Sequence, residues 1–532
     1  MKSDPSKAGR REWVGLAVIA LPCLLYSMDL TVLHLAVPKL SEDLQPSSAQ
    51  LLWIIDIYGF LVAGSLITMG TLGDRIGRRR ILLIGAAAFG IASVLAAFSR
   101  TAEMLIVTRA LLGIAGATVA PSTLSLIRNM FHDPHQRTVA ISVWIMSFSL
   151  GAAIGPLLGG LLLEWFWWGS VFLIAVPIMV LLLMVGPSLL PEYRDPQAGR
   201  PDLFSAALSL VAVLSVIFGL KLIAQDGFGW FPILSIIVGV AFGAAFVRRQ
   251  LTLDDPLIDL RLFRLPGFSA SLAMYGVGII VLFGGFLFLP QYLQLVLGLS
   301  PLEAGLWSLP WAGAFIVGSI VTPYLVRRIR PAYLMAAGLA LAAPGFAVFT
   351  RIDESMTFAA FAIGTFIFSL GFAPVFTLTT DLIVGSAPPE RAGAASAISE
   401  TSAEFGGALG IAVFGSIGVA VYRTMIGDAI PPGLSADAVA AARATLGGAA
   451  TVAAQLPAEA SARLLGGARE AFMQGLRIVA AISVAGSLGL ALFGVLLMRR
   501  LRASSAPAHG DTDSMAEVLP SAGPNAAGEL AG

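Results

Sequence analysis

From Trp13 onward the chain repeats one pattern, a long apolar run closed by a short polar break. The runs start near residues 13, 49, 80, 104, 138, 167, 203, 231, 268, 302, 332, 357, 393 and 475. Crossing a hydrocarbon core of about 30 Å takes roughly 20 apolar residues in α-helix, so each run is long enough to span a bilayer. The pattern predicts fourteen transmembrane helices. The first run is too long for a signal-peptide core and no small-residue cleavage site follows it, so an uncleaved first helix is expected.

The breaks organise the chain. "RRRILLIGAAAFGIASVLAAFSR" from Arg78 is similar to "RRIRPAYLMAAGLALAAPGFAVFTR" from Arg327, and "RTVAISVWIMSFSLGAAIGP" from Arg137 is echoed by "RAGAASAISETSAEFGGALG" from Arg391. Internal duplication of this kind marks many secondary transporters, whose substrate site lies between the repeats. The expected domains are therefore an amino-terminal segment (1–12), a six-helix bundle (13–190), linkers with two inserted transmembrane helices (191–267) and a second six-helix bundle (268–498). Residues 422–474 form a long loop, in which "SADAVAAARATLGGAATVAAQL" and "AEASARLLGGAREAF" predict two short helices joined near Pro457, a hairpin over the outer mouth. The segment 499–532, rich in Ser, Ala, Pro, Gly and Asp, is expected to be disordered.

Composition agrees with a membrane protein: 57% of the 532 residues are hydrophobic and 12% charged, and the mean hydropathy is +0.86. Too few charges remain to cover a water-soluble globule. Lys and Arg collect at Lys2, Lys7, Arg10 and Arg11 and in alternate breaks such as "GDRIGRRR", "FVRRQ" and "VRRIR", while Lys39, Arg100 and Arg351 lie in the breaks between. By the positive-inside rule both termini are cytoplasmic, which suits an even number of spans. The lone Cys23 excludes an internal disulfide, and four scattered His predict no metal site. A net charge of +1 predicts no nucleic-acid partner. Arg outnumbers Lys, and Ala and Gly abound, as in a GC-rich bacterium.

Three motifs carry chemistry. The loop "GTLGDRIGRRR" holds Gly70, Gly73, Asp74, Arg75, Gly77, Arg78 and Arg79, glycines for tight packing and an aspartate able to pair with Arg or with a helix N-terminus. Such a clasp would hold one conformation shut; ordinary positive-inside anchoring also explains the Arg run. "SLGAAIGPLLGG" sets Gly151, Gly155, Pro156, Gly159 and Gly160 at small-xxx-small spacing, which permits close helix contact and a kink. Third, "MDLTVLHLAVP", "LLWIIDIYGFLVAG" and "TRALLGIAGATVAPSTLSLI" bring acids and Arg109 into apolar helices.

The first loop resembles the signature loop of the major facilitator superfamily, and the glycine string resembles the antiporter motif of its drug-exporting branches. Together with the third set, the chain is similar to the fourteen-helix drug:proton antiporters, especially exporters of quaternary ammonium compounds and methyl viologen. The likeness departs at Leu112, where the family's helix-four motif often has Gln, and at Phe315, where some dication exporters carry an acid. The resemblance implies an all-α integral membrane protein of major facilitator fold, two six-helix bundles plus two inserted helices.

A charge at the bilayer centre costs about 2.5–3.5 kcal/mol on insertion scales, so a buried acid needs a cavity, a partner or a proton. Asp29, Asp56, Asp381, Glu400 and Glu404 are the acids concerned, with Asp381 given least weight. Glu400 and Glu404, four residues apart, share one face of helix thirteen about 13–20 Å above Arg391. Two carboxyls so close in low dielectric resist ionising together, so one can hold a proton. Asp29 is expected to face the cavity, and Asp56 is either a neighbour of Asp29 or a wetted interfacial carboxylate. Arg109 would pair with an acid or snorkel to the outer interface. Trp53, Tyr58, Trp144, Trp307 and Trp311 are candidates to stack on flat cations, though core packing explains each as well.

The expected function is proton-coupled export of lipophilic organic cations by alternating access. No cofactor is expected beyond the proton motive force, and the partners are the cations, protons and the lipid bilayer. The expected setting is the bacterial inner membrane, as a monomer. Export of an endogenous metabolite or antibiotic on the same fold is the alternative. A membrane-embedded enzyme is disfavoured, because no H-E-x-x-H or G-x-S-x-G string occurs.

Overall fold

The computed structural model describes residues 7–46, 48–194, 202–253, 256–388 and 391–498, and among these it is helical with no strands. Residues 499–532, expected to be disordered, lie outside the described residues. Fourteen segments are long and apolar enough to span: α1 Arg10–Leu33, α2 Trp53–Ile76, α3 Arg78–Ala97, α4 Ala102–Met130, α5 Pro134–Trp165, α6 Ser170–Leu189, α7 Phe204–Ile223, α8 Trp230–Gln250, α9 Pro266–Val296, α10 Glu303–Leu325, α11 Pro331–Phe349, α12 Phe358–Ser386, α13 Ala392–Ala429 and α14 Ala458–Leu496.

Several of the polar breaks read from the sequence are helix caps. Thr101 accepts the N–H of Met104 ahead of α4, Asp133 accepts those of His135 and Gln136 with Pro134 in the first turn of α5, and Ser300 and Glu303 form a reciprocal capping box before α10. Each satisfies backbone donors that the helix itself leaves open. Asp202 caps α7 and also holds Arg249 of α8 at 2.9 Å, tying the inserted pair together. Within α4 the helix breaks at Thr118, because Pro121 has no N–H to offer the carbonyl of Ala117.

α1–α6 pack as one bundle and α9–α14 as the other, meeting along α2 with α13, α5 with α10, and the second part of α4 with α13. α8 packs on α7, and α7 lies across both α2 and α13.

The loop before α14 departs from expectation. The first expected short helix is two, Ala436–Ala444 and Leu446–Ala453, broken at an extended Thr445 whose hydroxyl caps Gly448. The Tyr422 hydroxyl donates to the carbonyls of Ala442 and Thr445 at 2.9 and 3.1 Å and pins the break. The second expected short helix is the start of the last span, one continuous helix Ala458–Met498. No proline lies between Ala458 and Met498 to stop it, so backbone hydrogen bonding carries through. The short helices pack back onto α13, α14 and the end of α9.

Candidate substrate and proton site

The intramembrane charges fall into two groups. Asp29 of α1 forms a close ion pair with Arg109 of α4, and both are buried, at 8% and 1% exposure. The Arg109 guanidinium also donates through Nε to the carbonyl of Ile54 at 3.2 Å and sits over the Tyr58 ring, 4.7 Å from its centroid. A buried ion pair offsets its desolvation cost only when such extra bonds complete it. Arg109 therefore pairs rather than snorkels, and the Asp29 carboxylate is held by the protein's own cation.

Asp56 does not meet Asp29. Its partner is Lys221 of the inserted α7, whose Nζ lies 2.6 Å from Oδ1 and 4.4 Å from the centroid of the Phe60 ring. Asp381, near the end of α12, accepts from Arg137 Nε at 2.7 Å and from the Thr138 hydroxyl at 2.9 Å, both on α5 in the other half.

Glu400 and Glu404 differ. Both sit on α13, half-buried, and neither meets a basic side chain in an ion pair among the described residues. Glu404 accepts from the Tyr26 hydroxyl of α1 at 3.5 Å, a contact between the halves. Glu400 Oε1 is buried with no hydrogen-bond partner among the described residues. An unpaired buried carboxylate is costly unless it takes up a cation or a proton.

Aromatic rings cluster in both halves. In the first, Tyr26 stands edge-on to Phe148 at 5.6 Å, and Phe148 to Trp144 at 4.7 Å. In the second, a series runs Trp311, Phe315, Phe376, Tyr275, with centroids 6.3, 5.8 and 5.4 Å apart. The five aromatic candidates separate accordingly. Tyr58 supports Arg109, Trp144 donates to Thr123 at 2.8 Å in the core, and Trp307 packs on Phe358 and Phe361. Trp53 stacks on Phe218 of α7, and Trp311 keeps a buried indole N–H without a partner among the described residues.

The signature loop closes the face that bears Arg10 and Met498. Arg78 is fully buried, pairs with Asp74 and donates to the Gly70 carbonyl at 2.7 Å. Its guanidinium lies where a side chain on Gly393 would be, and a Cβ on Gly70 would come within 2.6 Å of Ala397 Cβ. Asp74 Oδ2 accepts the backbone N–H of Ala394, in the first turn of α13, at 3.1 Å. Gly77 turns the chain at φ +116°, and Arg79 clamps the end of α6 through Glu192 at 3.5 Å and the carbonyls of Pro187 and Leu190. Gly73 lies against Arg78, and Arg75 is half-buried at the end of α2.

The glycine string is a packing stripe. Gly151, Gly155 and Gly159 press α5 against α1, facing Leu24 with Ser27, Met28 with Thr31, and Val32, so that any side chain there collides. Gly160 faces open space. The side chain of Pro156 lies outside the described residues.

Two helical bundles meeting around buried acids, with a charged clasp between them at one face, define a membrane transporter. The chain belongs to the major facilitator superfamily: the sequence profile of that superfamily matches residues 19–411. It is similar to the "Multidrug efflux pump LfrA" of Mycolicibacterium smegmatis, 45% identical over 89% of this chain and 94% of that one. It is also similar to the "Methyl viologen resistance protein SmvA" of Salmonella typhimurium, 38% identical over 91% and 97%. The "Tetracenomycin C resistance and export protein" of Streptomyces glaucescens is 31% identical over 92% of each chain. Among solved structures, the human organic anion transporter MFSD10 shares the fold, with a TM-score of 0.56 at 14% identity over 90% of this chain and 99% of that one.

Proposed function

We propose that this protein exports lipophilic organic cations from the cytoplasm in exchange for protons, by alternating access across a bacterial inner membrane. The observation that carries the reading is the charge inventory: Asp29, Asp56 and Asp381 each form an ion pair with a basic side chain, and Glu400 and Glu404 form none among the described residues. A carboxylate without a cation of its own binds either a proton or a cationic drug, and the two compete because both need the same ionised group. The relative named as a multidrug efflux pump supports export, and the one named as a methyl viologen resistance protein supports a cationic cargo.

With both termini in the cytoplasm, the clasp through Asp74, Arg78 and Ala394 and the bridge from Arg137 to Asp381 close the cytoplasmic side. A proton from outside discharges the glutamates of cargo, the clasp releases, and the cavity reopens inward. One charge moving down 100 mV supplies about 2.3 kcal/mol, roughly a fiftyfold gradient if exchange is electrogenic. The transporter works as a monomer with no cofactor besides the proton motive force.

The test is proton release from purified, weakly buffered protein on addition of tetraphenylphosphonium. Release is expected in the wild type and not in Glu400→Gln with Glu404→Gln. Binding without release in the wild type removes the exchange mechanism.

A further inference from the structure

α7 is more than a spacer between the halves. Val213 and Ile217 bury against Phe60 and Ala63 of α2, and the same cluster takes in Phe405 and Ala408 of α13, immediately after Glu404. α7 therefore fills the groove between one helix of each half and carries Lys221 to Asp56. The surroundings of that ammonium are those an organic cation requires. A carboxylate oxygen lies at 2.6 Å, an aromatic face at 4.4 Å, and beyond it Trp53, Phe60 and Phe218 form a trio with centroids 6.1–6.3 Å apart. Carboxylate plus ring face is the general recipe for recognising alkylammonium groups. The pair is also accessible, with 35% of the Lys221 side chain and 25% of that of Asp56 exposed.

We propose that Asp56, Phe60 and Trp53 form a second organic-cation site, and that Lys221 is its tethered occupant, restricting which charges the cargo can carry. With Lys221 in place, Asp56 is neutralised and the glutamates alone are left for a positive charge. Without it, one more negative charge with an aromatic wall becomes available beside α13. A cargo with two separated cationic centres gains a second anchor; a cargo with one does not. The inference rests on the cation-export reading above.

The experiment measures resistance of an efflux-deficient bacterial host to a monovalent cation, tetraphenylphosphonium, and a divalent one, dequalinium. Membrane abundance of each variant is measured by immunoblot. Lys221→Met and Lys221→Gln are expected to raise the ratio of divalent to monovalent resistance at least fourfold over wild type. Lys221→Arg, which keeps the charge, is expected to hold the wild-type ratio, and adding Asp56→Asn to Lys221→Met to return it there. The two neutral variants guard against a single misfolded one. An unmoved ratio in whichever of them reaches the membrane, or a double variant that keeps the raised ratio, overturns the role of Lys221 and makes the pair a packing tie. Wild-type protein that protects against neither cation fails the export reading itself and takes this site with it.

Discussion

Asp74, at the end of α2, accepts the backbone N–H of Ala394 in the first turn of α13, so the signature loop of one half supplies a helix cap to the other. The capped helix is the one that carries Glu400 and Glu404. A carboxylate there both satisfies an otherwise open donor and meets the positive end of the helix dipole. The clasp and the acids thus share one rigid element.

Replacing Asp74 tests that link. Side-chain caps contribute about 1 kcal/mol, and that much shifts a two-state population roughly fivefold. Asp74→Ala is expected to depopulate the state closed at the clasp, the more so because Arg78 is left buried without its partner. Spin-label distances between α2 and the start of α13 read the shift; a distribution identical to wild type would deny the clasp its role.

The Asp29–Arg109 pair yields to a double-mutant cycle. Breaking a buried pair costs about 3–5 kcal/mol, because the remaining charge has no compensation, while removing both is far milder. Asp29→Asn and Arg109→Met are each expected to lower the melting temperature of the purified protein more than the two together. If the double variant melts at the sum of the single losses, the two residues are energetically independent.

The glycine stripe makes a prediction with its own control. A Cβ on Gly155 would lie 3.1 Å from the Met28 carbonyl and closer still to the Thr31 hydroxyl, whereas Gly160 faces nothing within 4 Å. Overpacking of this kind costs about 1–3 kcal/mol. Gly155→Val is therefore expected to reduce thermal stability and transport together, and Gly160→Ala to leave stability at the wild-type value, measured by thermal unfolding in detergent.

The fourteen spans were legible because run length and polar breaks are local properties, and several breaks are caps such as Thr101 and Asp133. Helix thirteen and its glutamate pair were legible for the same reason, since four residues fix one face. Lys221 was not. A single lysine near the end of an apolar run has the ordinary explanation of snorkelling, and nothing local joins position 221 to position 56. Asp381 suffered likewise: its meaning comes from Arg137 and Thr138 across the seam. The continuous start of α14 was missed because an Ala-rich amphipathic stretch reads equally as a free helix or as the extension of a span.

The position of α7 makes the molecule lopsided toward the lipid. Two bundles packed side by side have two lateral flanks that face the acyl chains. On one flank α7 is wedged over α2 and α13, while the other, where α5 meets α10, carries no inserted helix among the described residues. Under the export reading, a greasy solute arriving sideways from a leaflet meets α7 on one flank and the residues bordering α5 and α10 on the other.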